Sequence, residues 1–100
     1  MIKDFFLGFI RIHILYHAAK EPVFGAALIK ELARHGYCIS CGTLYPILHR
    51  LRDTGYVRAS NKNVGGRIRK YYRITPKGRK ALRQSKSKIR ELVTEVLEEE

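Results

Sequence analysis

Apolar side chains near the N-terminus fall into two rows at helical spacing: Phe5, Phe9, Ile12 and Tyr16 in one, Ile2, Phe6, Ile10 and Ile14 in the other. Residues three and four apart share a helix face, so the pattern predicts a helix from about Ile2 to Ala19 that is apolar on most sides. In a chain of 100 residues few neighbours exist to cover both rows, so a partner subunit is expected to cover one. Pro22 and Gly25 interrupt the pattern. From Ala26 to Arg34 a short amphipathic helix follows, with Leu28, Ile29 and Leu32 inward and Gly36 ending it. Ser40, Cys41, Gly42 and Thr43 then supply a cap and turn for a third helix over about residues 42 to 54. Its inward row is Leu44, Ile47, Leu48 and Leu51, and Gly55 ends it.

Beyond Gly55 the period changes from near 3.6 to 2. Val57 and Ala59 alternate with Tyr56, Arg58 and Ser60, Asn61 to Gly66 reads as a polar loop ending in two glycines, and Arg67 to Ile74 alternates as a return strand. Ile68, Tyr72 and Ile74 are expected to face the core, with Arg67, Arg69, Tyr71 and Arg73 facing out. Thr75 caps a last helix with Pro76 in its first turn. On it Leu82, Ile89 and Val96 repeat at seven, with Leu92 and Val93 between them, a seam for another helix. Two helices joined by a tight connection and followed by a hairpin make a winged helix-turn-helix. The fold class is therefore mainly α with a small β-hairpin. Residues 1–75 form the winged helix, and 76–100 add a C-terminal dimerisation helix to the same compact domain.

Charge changes the picture. Twenty Lys and Arg against nine Asp and Glu give a formal charge of +11, with a pI near 10.1. Residues 1–50 hold six basic and three acidic side chains, residues 51–100 fourteen and six. From Arg58 to Arg90 there are thirteen Lys and Arg and no carboxylate; Glu91, Glu95, Glu98, Glu99 and Glu100 then close the chain with the opposite sign. A charge run on one helix is ordinarily a solvated face, but this one crosses a hairpin and a helix start, which points to a polyanionic partner. No cofactor is expected. There is no Ser/His/Asp set in supporting context, no phosphate-cradling glycine loop and no HExxH, so the chain does not read as an enzyme. The apolar run from Phe5 to Tyr16 is broken by Arg11 and His13 and is too short to span a bilayer, so a cytoplasmic protein without membrane contact is expected.

Two segments carry a family resemblance. Gly42-Thr43-Leu44-Tyr45-Pro46, continuing through Leu48, Leu51 and Gly55, resembles the recognition helix of PadR-type transcriptional regulators. The run from Gly66-Arg67 through Lys70-Tyr71-Tyr72-Arg73-Ile74-Thr75-Pro76-Lys77-Gly78 to Leu82 resembles the wing strand and helix entry of that family. Phe24-Gly25 and the apolar first helix fit as well. Where the family usually has an aromatic after the glycine of its second helix, this chain has Ala26. The resemblance implies a winged-helix DNA-binding regulator, a repressor, of the short branch of the family.

On the third helix Thr43, Pro46 and Arg50 share the face opposite the leucine row, flanked by Tyr45 and His49. Ser40 and Thr43 stand at the helix start, where free N–H groups and the dipole favour a phosphate. Tyr45 is expected to pack its ring on the protein and offer its hydroxyl to a phosphate. Arg50 suits bidentate guanine readout or a second phosphate contact. On the hairpin Lys62, Arg67, Arg69 and Lys70 are placed to follow a backbone or enter a narrow minor groove. Arg73 and Arg79 are set apart, as partners for the C-terminal glutamates. Phe5, Phe9, Ile12, Leu82, Ile89, Leu92, Val93 and Val96 are expected to form a homodimer interface. The leading reading is a homodimeric, sequence-specific regulator of double-stranded DNA. A nonspecific architectural or RNA-binding protein, or a winged-helix module for an acidic protein partner, remains open on the residues alone.

Cys38-Ile39-Ser40-Cys41 stands apart. The spacing admits a metal half-site or a redox pair, with His35 and His49 close in sequence. Against it, the segment reads as extended, which would hold the two Cα atoms beyond the ~7 Å limit of a disulfide, and no second pair accompanies it.

Overall fold

Why the chain folds as it does is clearest at its helix ends. The computed structural model describes residues 1–98; Glu99 and Glu100 of the acidic end lie outside them. Four helices and a two-stranded antiparallel sheet run in the order α1 (Ile2–Lys20), α2 (Gly25–Arg34), α3 (Cys41–Asp53), β1 (Val57–Val64), β2 (Arg67–Ile74) and α4 (Pro76–Val93), and a π-helical turn spans Thr94–Glu98. This is the fold class read from the sequence. Both α2 and α3 end in the same device. Gly36 and Gly55 take φ of +87° and +85°. The amides of Gly36 and Tyr37 then donate to Ala33 and Leu32, as those of Gly55 and Tyr56 do to Arg52 and Leu51. The paired bonds of this Schellman closure satisfy carbonyls that a helix end leaves free, and a positive φ of this size suits glycine.

The core gathers one stripe from each element: Ile10, Ile14, Leu15 and Ala18 of α1, Leu28 and Leu32 of α2, and Leu44, Ile47, Leu48 and Leu51 of α3. Val57, Tyr72 and Ile74 of the sheet and Leu82 of α4 complete it. Leu82 is thereby corrected: it lies in its own subunit's core, because the first turns of α4 rest on the body and only the later turns project beyond it. On α1 Ile2, Phe5 (51% exposed) and Phe6 stay open, since the first turns of the helix also run past the core; Tyr16 is exposed too, whereas Phe9 and Ile12 of the same row are half-buried.

The hairpin is longer than the alternation indicated. Pairing continues from Val57↔Ile74 to Val64↔Arg67, so Asn61 to Val64 belong to β1 and only Gly65 and Gly66 turn the chain. Both glycines have positive φ, as a two-residue turn matching strand twist requires. Ile68 is also corrected. It shares a face with Tyr72 and Ile74 but is 70% exposed, because it pairs with Asn63 near the tip, where the wing has left the body. The base of the wing is fixed by a bridge in which Val23 and Tyr72 exchange both backbone hydrogen bonds, at 2.9 and 2.7 Å.

Where α3, β1 and α4 meet, the contacts are close. Thr75 accepts from the amide of Gly78 and donates to the carbonyl of Tyr56. Lys77 Nζ donates to the carbonyl of Thr54 at 2.6 Å. Arg79 donates to the carbonyl of Ala19 at the end of α1, and among the described residues it pairs with no C-terminal glutamate. No described helix is long and apolar enough to cross a membrane.

Candidate nucleic-acid interface

Burying Leu44, Ile47, Leu48 and Leu51 turns the opposite face of α3 to solvent. Thr43, Tyr45, Pro46, His49 and Arg50 are all exposed there. Ser40 is the N-cap in extended geometry, yet no side chain caps the first turn. Its hydroxyl lies 3.5 Å from that of Thr43. Two hydroxyls therefore stand beside uncapped N–H groups at the positive end of a helix, a combination that attracts an anion. Pro46 lies inside α3, and its missing N–H leaves the Gly42 carbonyl on this exposed face without a helical donor.

Tyr45 packs as expected, and its support is Gly25. A Cβ built at Gly25 would come within 2.7 Å of the Tyr45 hydroxyl oxygen, so the ring lies against the first residue of α2. Phe24, just before that residue, connects α2 to the wing. The Arg69 guanidinium sits 4.2 Å from the centre of its ring, and Tyr71 meets it edge-on at 5.4 Å. Arg69 pairs across the sheet with Lys62, whose ammonium lies 5.6 Å from the Tyr71 ring. Strand alternation adds Arg67 to this face and puts Lys70 on the other, beside Ile68. The structure therefore brings Lys62, Arg67 and Arg69 together and separates Lys70 from them. Among the described residues Arg58, Lys62, Arg67, Arg69, Lys70 and Arg73 form no ion pair.

Cys38 and Cys41 are both free and exposed, the first in the segment before α3 and the second its first residue. Among the described residues no third ligand gathers on them. A different cluster does form, one that no sequence motif announces. His13, His17 and His35 each bring a ligating atom within 4.8 Å of the others. Burial, with the other histidines' charge opposing protonation, holds His13 below the usual imidazole range; burial does the same for His17, against the pull of Glu31. The spacing of His13 and His17 is legible as two positions on one helix face, but their meeting with His35 depends on how α2 crosses α1.

Residues 14–84 match the Transcriptional regulator PadR-like family. The chain belongs to the PadR-like family of transcriptional regulators. The matched span runs from the second half of α1 through the helix-turn-helix and wing into α4, so it contains the whole interface just described. Among similar PadR-like proteins is Transcriptional regulator Rv3488 of Mycobacterium tuberculosis, 48% identical over 96 residues, covering 96% of this chain and 90% of the relative. The crystal structure of a PadR family transcriptional regulator from Eggerthella lenta is 35% identical with a TM-score of 0.83, over 96% of this chain and 85% of that one. A PadR-like transcriptional regulator from Bacillus cereus is 34% identical with a TM-score of 0.76, over 93% of this chain and 95% of that one. The PadR-like proteins it resembles are regulators of transcription, not enzymes.

Proposed function

We propose that this PadR-like chain is a cytoplasmic, homodimeric repressor that binds a specific double-stranded DNA sequence. The observation that carries the reading is the continuity of one surface: the exposed face of α3, the uncapped start of that helix and an unpaired basic wing. In this reading α3 enters the major groove. Ser40, Thr43 and Tyr45 hold phosphates, Arg50 reads a base edge, and Pro46 and His49 lie against the groove wall. Lys62, Arg67 and Arg69 on one wing face, with Lys70 on the other, follow the flanking backbone or the adjacent minor groove.

Dimerisation is supported by the apolar surface that one subunit leaves open. Phe5 and Leu92 are 51% and 52% exposed, and Val96 is 64% exposed. Ile12, Ile89 and Leu92 line an apolar groove between α1 and α4. Phe9 and Val93, half-buried, extend the same surface. A second copy related by a two-fold axis would cover these side chains and set two α3 helices in successive major grooves, about 34–36 Å apart.

The test is fluorescence anisotropy with labelled DNA from upstream of the chain's own gene, at two salt concentrations, with random-sequence competitor. Binding that survives competitor supports a specific regulator. If competitor erases binding to every fragment in a genome-wide selection, the basic stripe is nonspecific and the reading fails.

A further inference from the structure

His13 and His17 lie one turn apart on α1 and so share a face, a spacing at which a helix presents two imidazoles to one ion. Across from them α2 repeats the spacing with Glu31 and its C-cap residue His35. The His13 ring stacks on that of His35 at 4.8 Å and lies 6.4 Å from that of His17. One carboxylate oxygen of Glu31 stands 3.9 Å from His17 Nε2 and 3.8 Å from His35 Nε2, too far to hydrogen-bond either. Nε2 of His17 is shut off from solvent and has no hydrogen-bond partner among the described residues. A packing role for the three rings leaves that buried nitrogen uncompensated. A cation between the rings would engage it.

We infer that His13, His17, His35 and Glu31 form a binding site for a divalent transition-metal ion of the zinc type, which clamps α2 to α1. Three imidazole nitrogens and one carboxylate oxygen are a donor set suited to tetrahedral Zn²⁺, whereas Mg²⁺ and Ca²⁺ prefer all-oxygen sites. Bonds of about 2.0–2.1 Å put tetrahedral ligands about 3.3 Å apart, so the rings and the carboxylate draw together on binding. The environment supports this. Arg34 holds Glu31 from the solvent side at 3.2 Å, which orients the carboxylate while opposing the ion's charge, as does nearby Lys20. Tyr37 meets His13 edge-on at 5.6 Å, and Phe6 meets Tyr37 at 6.0 Å, forming an apolar wall.

The clamp lies at the end of α2, and a short connection later the chain enters α3. Occupancy therefore sets how the helix-turn-helix sits on α1, and DNA affinity is expected to respond; this second step rests on the DNA-binding reading above, while the metal site does not.

Zn²⁺ is titrated into the full chain by calorimetry, Co²⁺ is followed by its visible spectrum, and melting is recorded with and without Zn²⁺. One ion per chain, four-coordinate Co²⁺ bands and a raised melting temperature are expected. His35→Gln, at an exposed position, should weaken Zn²⁺ binding by about 10-fold or more with unchanged circular dichroism. Cys38→Ser with Cys41→Ser should leave it intact. Equal Zn²⁺ affinity in wild type and His35→Gln, or loss of binding only in the cysteine variant, would overturn the site. DNA binding that ignores a bound Zn²⁺ overturns the coupling alone, and failure to bind DNA in either state overturns the interface reading and not the metal site.

Discussion

Arg50 stands exposed on α3 with no carboxylate paired to it among the described residues, so its guanidinium donors are available to a base edge. In the DNA-binding reading the equally unpaired wing cations follow phosphates and contribute charge, not base readout. Arg50→Ala is expected to reduce the preference for operator over random DNA by about 1–3 kcal/mol. Lys62→Ala or Arg67→Ala should weaken binding to both alike and flatten the log–log salt slope by about 0.9 for each phosphate no longer neutralised. Competition titrations at several salt concentrations separate the two outcomes. Glycines also differ sharply. A Cβ at Gly78 would collide with the Tyr56 carbonyl and come within 2.7 Å of Ile74, whereas one at Gly8 meets nothing within 4 Å. Gly78→Ala should therefore destabilise the protein by about 1–3 kcal/mol through overpacking. Gly8→Ala, in the interior of α1, should stabilise it by about 1 kcal/mol, and urea midpoints report both.

At the scale of elements, the wing is a lever held only at its base. The Val23–Tyr72 bridge and the buried Tyr72 and Ile74 fix one end, while residues 61–70 are exposed throughout. The tip depends on backbone geometry at Gly65 and Gly66, and a side chain at positive φ costs about 1–2 kcal/mol per residue. Changing both to valine should fray the hairpin end, visible as faster amide exchange at Arg69, which is bonded across to Lys62, and lower DNA affinity. Because that end touches no core, the thermal midpoint should hardly move. An equally large drop in midpoint would mean that the wing supports the core. The α2–α3 pair behaves differently: each helix is closed by a Schellman glycine and packed by leucines, so the surface of α3 is carried on a rigid body.

The whole molecule measures 57 × 28 × 20 Å, with a radius of gyration of 14.8 Å against about 13 Å for a compact chain of this length. The excess comes from the ends of α1 and α4 and from the wing, the parts whose apolar or basic surfaces remain uncovered. In the dimer reading, Leu92→Glu or Ile89→Glu should shift sedimentation toward monomer. DNA affinity should fall with it, since both half-sites can no longer be held together. A variant that remains dimeric would place the interface elsewhere. Leu82→Glu is no substitute, because it would unfold the subunit it belongs to.

Local chemistry made much of this legible from residues alone. Helical spacing placed all four helices, Gly36 and Gly55 marked two of their ends, Thr75 and Pro76 marked the start of the last, and the leucine row of α3 left its outward face readable. These are decisions made within a few residues, where backbone preference and periodicity suffice. Tertiary structure decided what covers each face. Alternation put Ile68 on the side of Tyr72 and Ile74 but carried no information on where the body ends. A heptad row joined Leu82 to Ile89 and Val96, yet α4 leaves the core between them. His13 and His17 were visible as a pair on α1, while His35 reaches them only because α2 crosses α1 at that height. Contacts between segments distant in sequence depend on how whole helices pack, which no short-range pattern encodes.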